Sequence, residues 1–414
     1  MNDKRYTIKR HIKELISTTA KEYQCVVLTG PRQIGKSTLL INLFPKYNYV
    51  QLDNQKIINE AKLDPELFMQ KYKSPLIIDE IQKAPILFSY IKEKIDQDEK
   101  AKFIVTGSES FELMKGIGES LSTRAAIINM SSLSIAEINK EPIFTYKPDI
   151  NLFLTRRAKT KTQYEIFGDI IKGSMPDIIN GNKTNIQLFY KSYIETSIIK
   201  DMKEDWVSIK DGGKFMDFLK ILASQTGQIF TTHSIAKLSS MDDKTCAIWL
   251  NGLKAMGIIF FTHPFSKNII KRIIKNPKLY FYDTGLVAYL LGFTDTKSLL
   301  NSSFAGHIFE CYVISNIYKG FINAGQNPSL FYIKEQRLVE ADKQKEIDLI
   351  LEGEGGKVYP IEIKMRVLAN IHDFDNVSLL NKEKNEIASM TVVCCATSVT
   401  TLGKDKLVLP VTCL

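Results

Sequence analysis

The chain has 414 residues, 44% hydrophobic and 24% charged, an ordinary globular composition long enough for two to four domains with their own cores. No run approaches the roughly 20 apolar residues of a membrane span, and the charged start Met1-Asn2-Asp3-Lys4-Arg5 has no apolar stretch behind it, so no membrane role and no signal peptide are expected. The net charge of +9 favours an anionic partner such as nucleic acid, while lysines scattered along the whole chain equally suit a solvated surface. Six cysteines lie apart except for Cys394-Cys395, with no C-x-x-C and no zinc spacing; reduced thiols and a cytoplasmic location are expected.

Ile8, Ile12, Leu15 and Ile16 mark an amphipathic helix. The apolar, β-branched run 25–29 then reads as a buried strand. It leads into Gly30-Pro31-Arg32-Gln33-Ile34-Gly35-Lys36-Ser37, which fits G-x-x-x-x-G-K-[ST], the phosphate loop of nucleotide hydrolases. The two glycines let the backbone wrap an anion, so Gly30, Arg32, Gln33, Ile34, Gly35, Lys36, Ser37 and Thr38 are the expected nucleotide-binding residues. Lys36 brings charge to the outer phosphates, the Ser37 hydroxyl is a ligand for Mg²⁺, and the following helix turns its positive end to the anion. Further strands are predicted at 47–53, 76–80, 103–107 and 125–130, separated by helices such as 87–95 and 110–115. That alternation predicts an α/β fold, a parallel sheet covered on both faces, over residues 1–145. Strand 76–80 ends in acid: Asp79 would hold Mg²⁺ through water and Glu80 would orient the attacking water. Thr106 and Ser108, closing the next strand, are set to meet the γ-phosphate or the water, unless they simply form a strand-end turn. Arg124 is placed to reach a neighbouring subunit's phosphate or to make a surface ion pair.

Residues 146–210 read as a helical lid or connector, clearest at 186–206. Residues 211–300 predict a winged helix. A helix carries Phe215, Phe218 and Leu222, a second is capped by Thr231 to Ser234, and a third starts at Asp242-Asp243 and ends at Gly257 before a strand at 258–262. The third helix holds only Lys244 and Lys254 as bases, so groove reading and a structural or docking role both stand. Residues 301–414 predict a separate small α/β domain: a helix at 305–318, strands at 330–333, 346–352, 357–364 and 390–396, and a glycine-rich hairpin loop at 352–356. Strand alternation puts Glu362 and Lys364 on one face, with Ile361 and Ile363 on the other. Hairpin pairing brings Asp348 beside them, and Glu310 completes the cluster. Glu310, Asp348 and Glu362 are candidate Mg²⁺ ligands for phosphodiester hydrolysis, with Lys364 as the catalytic lysine; a polar strand face with internal ion pairs is the other reading.

Several segments together carry a family resemblance. They are Gly30 to Ser37, Ile78-Asp79-Glu80-Ile81-Gln82-Lys83-Ala84-Pro85, Val105-Thr106-Gly107-Ser108, Leu133-Ser134-Ile135-Ala136-Glu137, Met175-Pro176, Tyr280-Phe281-Tyr282-Asp283-Thr284-Gly285-Leu286, Phe309-Glu310 and Glu362-Ile363-Lys364. With them the chain resembles prokaryotic AAA-superfamily P-loop ATPases that carry a winged helix and a C-terminal domain of unknown function similar to PD-(D/E)XK nucleases. The resemblance implies ATP and Mg²⁺ at Lys36, Ser37 and Asp79, hydrolysis aided by Glu80, and a nuclease-like fold around Glu310, Asp348, Glu362 and Lys364. Three places depart from the family pattern: Leu121-Ser122-Thr123-Arg124, Lys200-Asp201 where an Arg-Asp pair is usual, and Gly173-Ser174 before Met175-Pro176. The functional expectation is an ATPase that couples nucleotide state to a nuclease-like domain acting on nucleic acid. Its alternatives are a nucleotide-gated binding module with an inactive nuclease-like domain, and a chaperone-like ATPase acting on proteins. Such proteins also admit a homo-oligomer.

Overall fold

The computed structural model describes residues 8–414 except 108–110, 122, 144, 157–158, 204–211, 269, 271, 273–274, 336–344, 382–385 and 404. Ser108, one of the expected phosphate-contacting residues, and Trp206, the expected end of the connector helix, lie outside the described residues.

The N-terminal half builds a parallel sheet from β1 (Cys25–Thr29), β2 (Asn48–Gln51), β3 (Leu76–Asp79), β4 (Phe103–Gly107) and β5 (Ala125–Asn129), in the order β2-β3-β4-β1-β5. The three central strands are continuous apolar runs because both faces are covered; every residue of β1, β3 and β4 is buried, whereas Glu80, just past β3, is half-buried. Alternation along β1 splits the packing. Cys25 and Val27 join a core with Phe88, Ile91 and Phe103, whereas Val26 and Leu28 join a second core that runs on through the rest of the chain. Because β4 is inserted between β1 and β3, Thr106 sits opposite Leu28, two residues before the phosphate loop begins at Gly30.

Helices Ile150–Thr155, Gln163–Lys172, Pro176–Ile179 and Ile186–Tyr193 come next. The expected single connector helix differs in detail: after Tyr193 it widens into a π-turn, Ile194–Ile198, and returns to α geometry at Ile199–Asp201. Beyond it lie three helices, Gly212–Ser224, Thr232–Leu238 and Asp243–Ala255, and an antiparallel hairpin of β6 (Ile259–Pro264) and β7 (Lys278–Phe281). The second and third helices start at Thr231 and Asp242, whose side-chain oxygens accept the Ser234 and Thr245 amides.

Helix Ala305–Asn323 then leads to β8 (Leu330–Lys334), β9 (Glu346–Glu352), β10 (Val358–Lys364), β11 (Met390–Cys394), β12 (Thr400–Thr401) and β13 (Lys406–Pro410). Two features depart from expectation. The last two strands were not predicted. The sheet also crosses the expected boundary at 300/301: its order is β12-β13-β11-β10-β9-β8-β6-β7, because β6 pairs in parallel with β8 at His263↔Phe331 and Pro264↔Tyr332. Sequence periodicity reports local burial and is blind to such long-range pairing. Among the described residues no helix is long and apolar enough to cross a membrane.

Candidate nucleotide site and C-terminal carboxylate cluster

The phosphate loop turns sharply out of β1. Gly30 has φ 136°, and a Cβ there would lie 2.1 Å from the Met130 carbonyl oxygen, so only glycine fits. Gly35 has φ 91° and starts helix Lys36–Leu43 from the left-handed region. Arg10 braces the loop from outside: its guanidinium donates to the carbonyls of Ile34 at 2.8 Å and Ser131 at 2.7 Å, and its Nε donates to Glu137 at 2.9 Å. Buried Lys36 donates from Nζ to the carbonyls of Gly30 at 2.6 Å and Pro31 at 2.8 Å. Burial pushes its ammonium below the usual lysine range, while Glu80 and Asp79 pull it back up.

Asp79 ends β3 fully buried and is held from two sides. The Thr106 hydroxyl donates to Oδ1, and the Tyr49 hydroxyl donates to Oδ2 at 2.7 Å. Burial first and then the Asp79 charge raise the Tyr49 pKa. Thr106 further accepts the Glu80 amide at 3.3 Å, and so anchors both acids. Glu80 sits at φ 61°, an uncommon backbone state for a non-glycine residue, of the kind that collects at functional sites. Its carboxylate accepts from Gln82 at 2.7 Å and lies 3.7 Å from the Arg32 guanidinium. An all-oxygen donor set, the Ser37 hydroxyl on the cavity wall and the buried Asp79 carboxylate at the end of β3, fits a hard cation such as Mg²⁺. Tyr49 escaped sequence reasoning because only the pairing of β2 with β3, Gln51↔Asp79, brings it there.

Two cavities meet at the loop. One of about 460 Å³ is lined by the loop from Arg32 to Thr38, Glu80, Pro176, Asp177, Thr196 and Ser197. The other, of about 240 Å³ and more apolar, is lined by Ile8, Arg10, Ile34, Leu39, Leu43, Leu133, Pro176 and Asn180 among others; Gly35, Thr38 and Pro176 belong to both. Gly30, Arg32, Gln33, Ile34, Gly35, Lys36, Ser37, Thr38, Asp79, Glu80 and Thr106 are thus gathered around one end of the sheet. Arg124 is not. It precedes β5 at the opposite end and pairs with Asp96 at 2.8 Å.

The C-terminal cluster forms around a lysine that the sequence did not announce. Lys278 of β7, fully buried, pairs with Glu310 at 2.9 Å and with Glu346 of β9; Tyr280 also donates to Glu310 at 2.6 Å. Asp348 and Glu362 do come together, as expected. Asp348 accepts the Ile363 amide at 2.8 Å, and Lys364 pairs with Glu362 at 2.6 Å and approaches Asp348 at 4.0 Å. Burial, then the charge of Glu310, raises Asp348 to about 7; burial, then the charge of Asp348, raises Glu362 to about 8. Among the described residues no group of three or more His, Cys, Asp or Glu side chains is arranged to hold a metal; Glu310 pairs with Lys278 and Glu362 with Lys364. Lys278 was missed because it lies on a hairpin assigned to another unit.

The string Tyr280 to Leu286 acquires a structural role. Asp283 accepts from Tyr190 at 2.6 Å, from the Leu286 amide at 2.8 Å, and from the amide and hydroxyl of Ser174 at 2.6 and 2.8 Å. Ser174 in turn accepts from buried Lys319 at 2.9 Å, so the connector, the β7 end and the last long helix meet at one carboxylate.

A phosphate loop after β1, an acid pair after β3, and a strand inserted between them define a P-loop ATPase domain of the AAA type. Residues 22–139 match the family described as AAA domain, which agrees. Residues 165–297 and 305–414 match two domains of unknown function, DUF8612 and DUF4143. The uncharacterized proteins Mb2031c of Mycobacterium bovis and Rv2008c of Mycobacterium tuberculosis are each 26% identical over 342 residues, 82% of this chain and 70% of the relative. Among solved structures, similarity extends to the Walker-type ATPase of Pyrococcus abyssi (13% identity, TM-score 0.44, 68% of this chain and 94% of that one). It extends also to the Thermotoga maritima RuvB Holliday junction branch migration motor (14%, 0.31, 62% and 90%).

Proposed function

We propose that the chain is an ATP-hydrolysing switch whose C-terminal region binds a partner without cutting it. The observation that carries the first half is that Lys36, Ser37 and Glu80 line one cavity, with Asp79 and Thr106 buried beside it, Thr106 bonded to both acids. The triphosphate lies along the loop, and the base enters the apolar cavity past Thr38 and Pro176. Ser37 and Asp79 would hold Mg²⁺, which supplies charge to the bridging phosphates when bound. Glu80 orients the attacking water, and Thr106 fixes both acids. The Glu80→Gln variant should keep ATP affinity and lose turnover by about 100-fold or more. Unchanged turnover would remove Glu80 from the mechanism.

Lys278 carries the second half. An ammonium between Glu310 and Glu346 satisfies charge that a nuclease-like domain would otherwise offer to a metal. This favours a nucleotide-gated binding module over an active nuclease. The three helices and hairpin of 212–281 resemble a winged helix, and with a net charge of +9 they make nucleic acid the partner to test first. Binding without cleavage in Mg²⁺ or Mn²⁺, weakening steeply with salt, is the expected result. Cleavage lost on Asp348→Ala would restore the nuclease reading. No binding at low salt would favour a chaperone-like ATPase acting on proteins.

A further inference from the structure

We infer that Asp201 of the connector is a positioning residue that presents Arg32 to the terminal phosphate of ATP; this rests on the ATPase reading above. Arg32 is the third residue of the phosphate loop, and its guanidinium is held in a two-pronged pair with Asp201: Nε to Oδ2 at 2.8 Å and Nη2 to Oδ1 at 2.7 Å. Asp201 is 2% exposed, so the pair is shielded from solvent on the carboxylate side and fixes the plane of the guanidinium.

Three further observations set the direction. Nη2 also lies 3.7 Å from Glu80, the acid that orients water, so Arg32 occupies the end of the cavity where the outer phosphate and the attacking water meet. Lys36 feels Glu80, Asp79, Arg32 and Asp201 together, and these charges therefore form one electrostatic cluster. The connector, finally, is built for the contact. Its π-turn at Ile194–Ile198 shifts the helix so that Ser197 and Asp201, four residues apart, both face the loop, and Ser197 accepts from Gln33 at 3.4 Å. Arg32 is thus a charge-stabilising arginine supplied by the chain's own loop, aimed by an acid 169 residues away. No neighbouring subunit is needed for it.

The test uses the full chain, ATP and ADP binding by calorimetry, and steady-state turnover. Asp201→Asn keeps the shape and removes the charge. It should lower kcat by about 10-fold or more while ADP affinity changes by less than about 3-fold, and Asp201→Glu should recover part of the loss. Arg32→Ala should lower kcat at least as far, and the Arg32→Ala/Asp201→Asn double variant should be no worse than Arg32→Ala alone. Arg32→Lys, which keeps charge but loses the fork, provides the same reading if Asp201→Asn folds poorly. Wild-type kcat in Asp201→Asn, multiplicative losses in the double variant, or equal loss of ADP affinity and turnover would overturn the inference. Wild-type protein that binds neither nucleotide would instead overturn the ATPase reading on which it stands.

Discussion

Lys278 is 2% exposed and meets Glu310 at 2.9 Å, with Glu346 on its other side. Removing one partner of a buried ion pair costs more than the pair itself contributes, because the charges left behind stay in a dry site. Lys278→Met is therefore expected to destabilise the chain by roughly 3–5 kcal/mol, seen as a lower melting temperature. Combining it with Glu310→Gln should cost less than the sum of the two, and simple additivity would contradict the pairing. Lys319 gives a pH signature of opposite origin. Burial lowers its ammonium from 10.5 to about 8, with Asp283 and Glu137 partly opposing. Its folded-state pKa lies below the unfolded one, so the folded chain binds fewer protons between pH 8 and 10.5. Its contribution is then fully present above about 10.5 and lost as pH falls through 8. Denaturation midpoints of wild type minus Lys319→Met should rise across that window, and a flat difference would show that burial does not perturb this lysine.

At the scale of elements, β6 decides how the chain divides. It pairs with β7 on one side and β8 on the other, and Phe260 packs against Tyr318 of helix Ala305–Asn323, the rings tilted with centroids 4.7 Å apart. A fragment starting at residue 305 would expose the β8 edge and the aromatic face of that helix. It is expected to be insoluble or to lack dispersed NMR signals, and a well-folded fragment would contradict the shared sheet. The elements most legible in the sequence were those whose signals are local. These are the apolar runs of β1, β3 and β4, the glycine spacing of the loop, and the caps at Thr231 and Asp242. The features that escaped depend on pairing across the chain: Tyr49 reaches Asp79 through β2–β3 register, Lys278 reaches Glu310 from another unit, and Asp201 finds Arg32 by tertiary docking. β12 has only two residues, and the short apolar run of β13 does not by periodicity alone distinguish a strand from a buried helical turn.

Across the whole molecule, the ATPase domain is joined to the connector and the C-terminal region at polar points as well as through the shared core. Asn316 accepts the Ile135 amide at 2.8 Å, Lys319 donates to the Leu133 carbonyl at 3.2 Å, and Asp201 holds Arg32. A change at the phosphate loop therefore has direct routes to the connector and to helix Ala305–Asn323. These routes matter for function only if the loop grips a nucleotide. The most direct measurement is calorimetric titration of the full chain and of Lys36→Ala with ATP and Mg²⁺. Saturable binding near one nucleotide per chain, abolished by Lys36→Ala, is the expected result. Absence of binding to wild type, or equal binding to both proteins, would contradict the account.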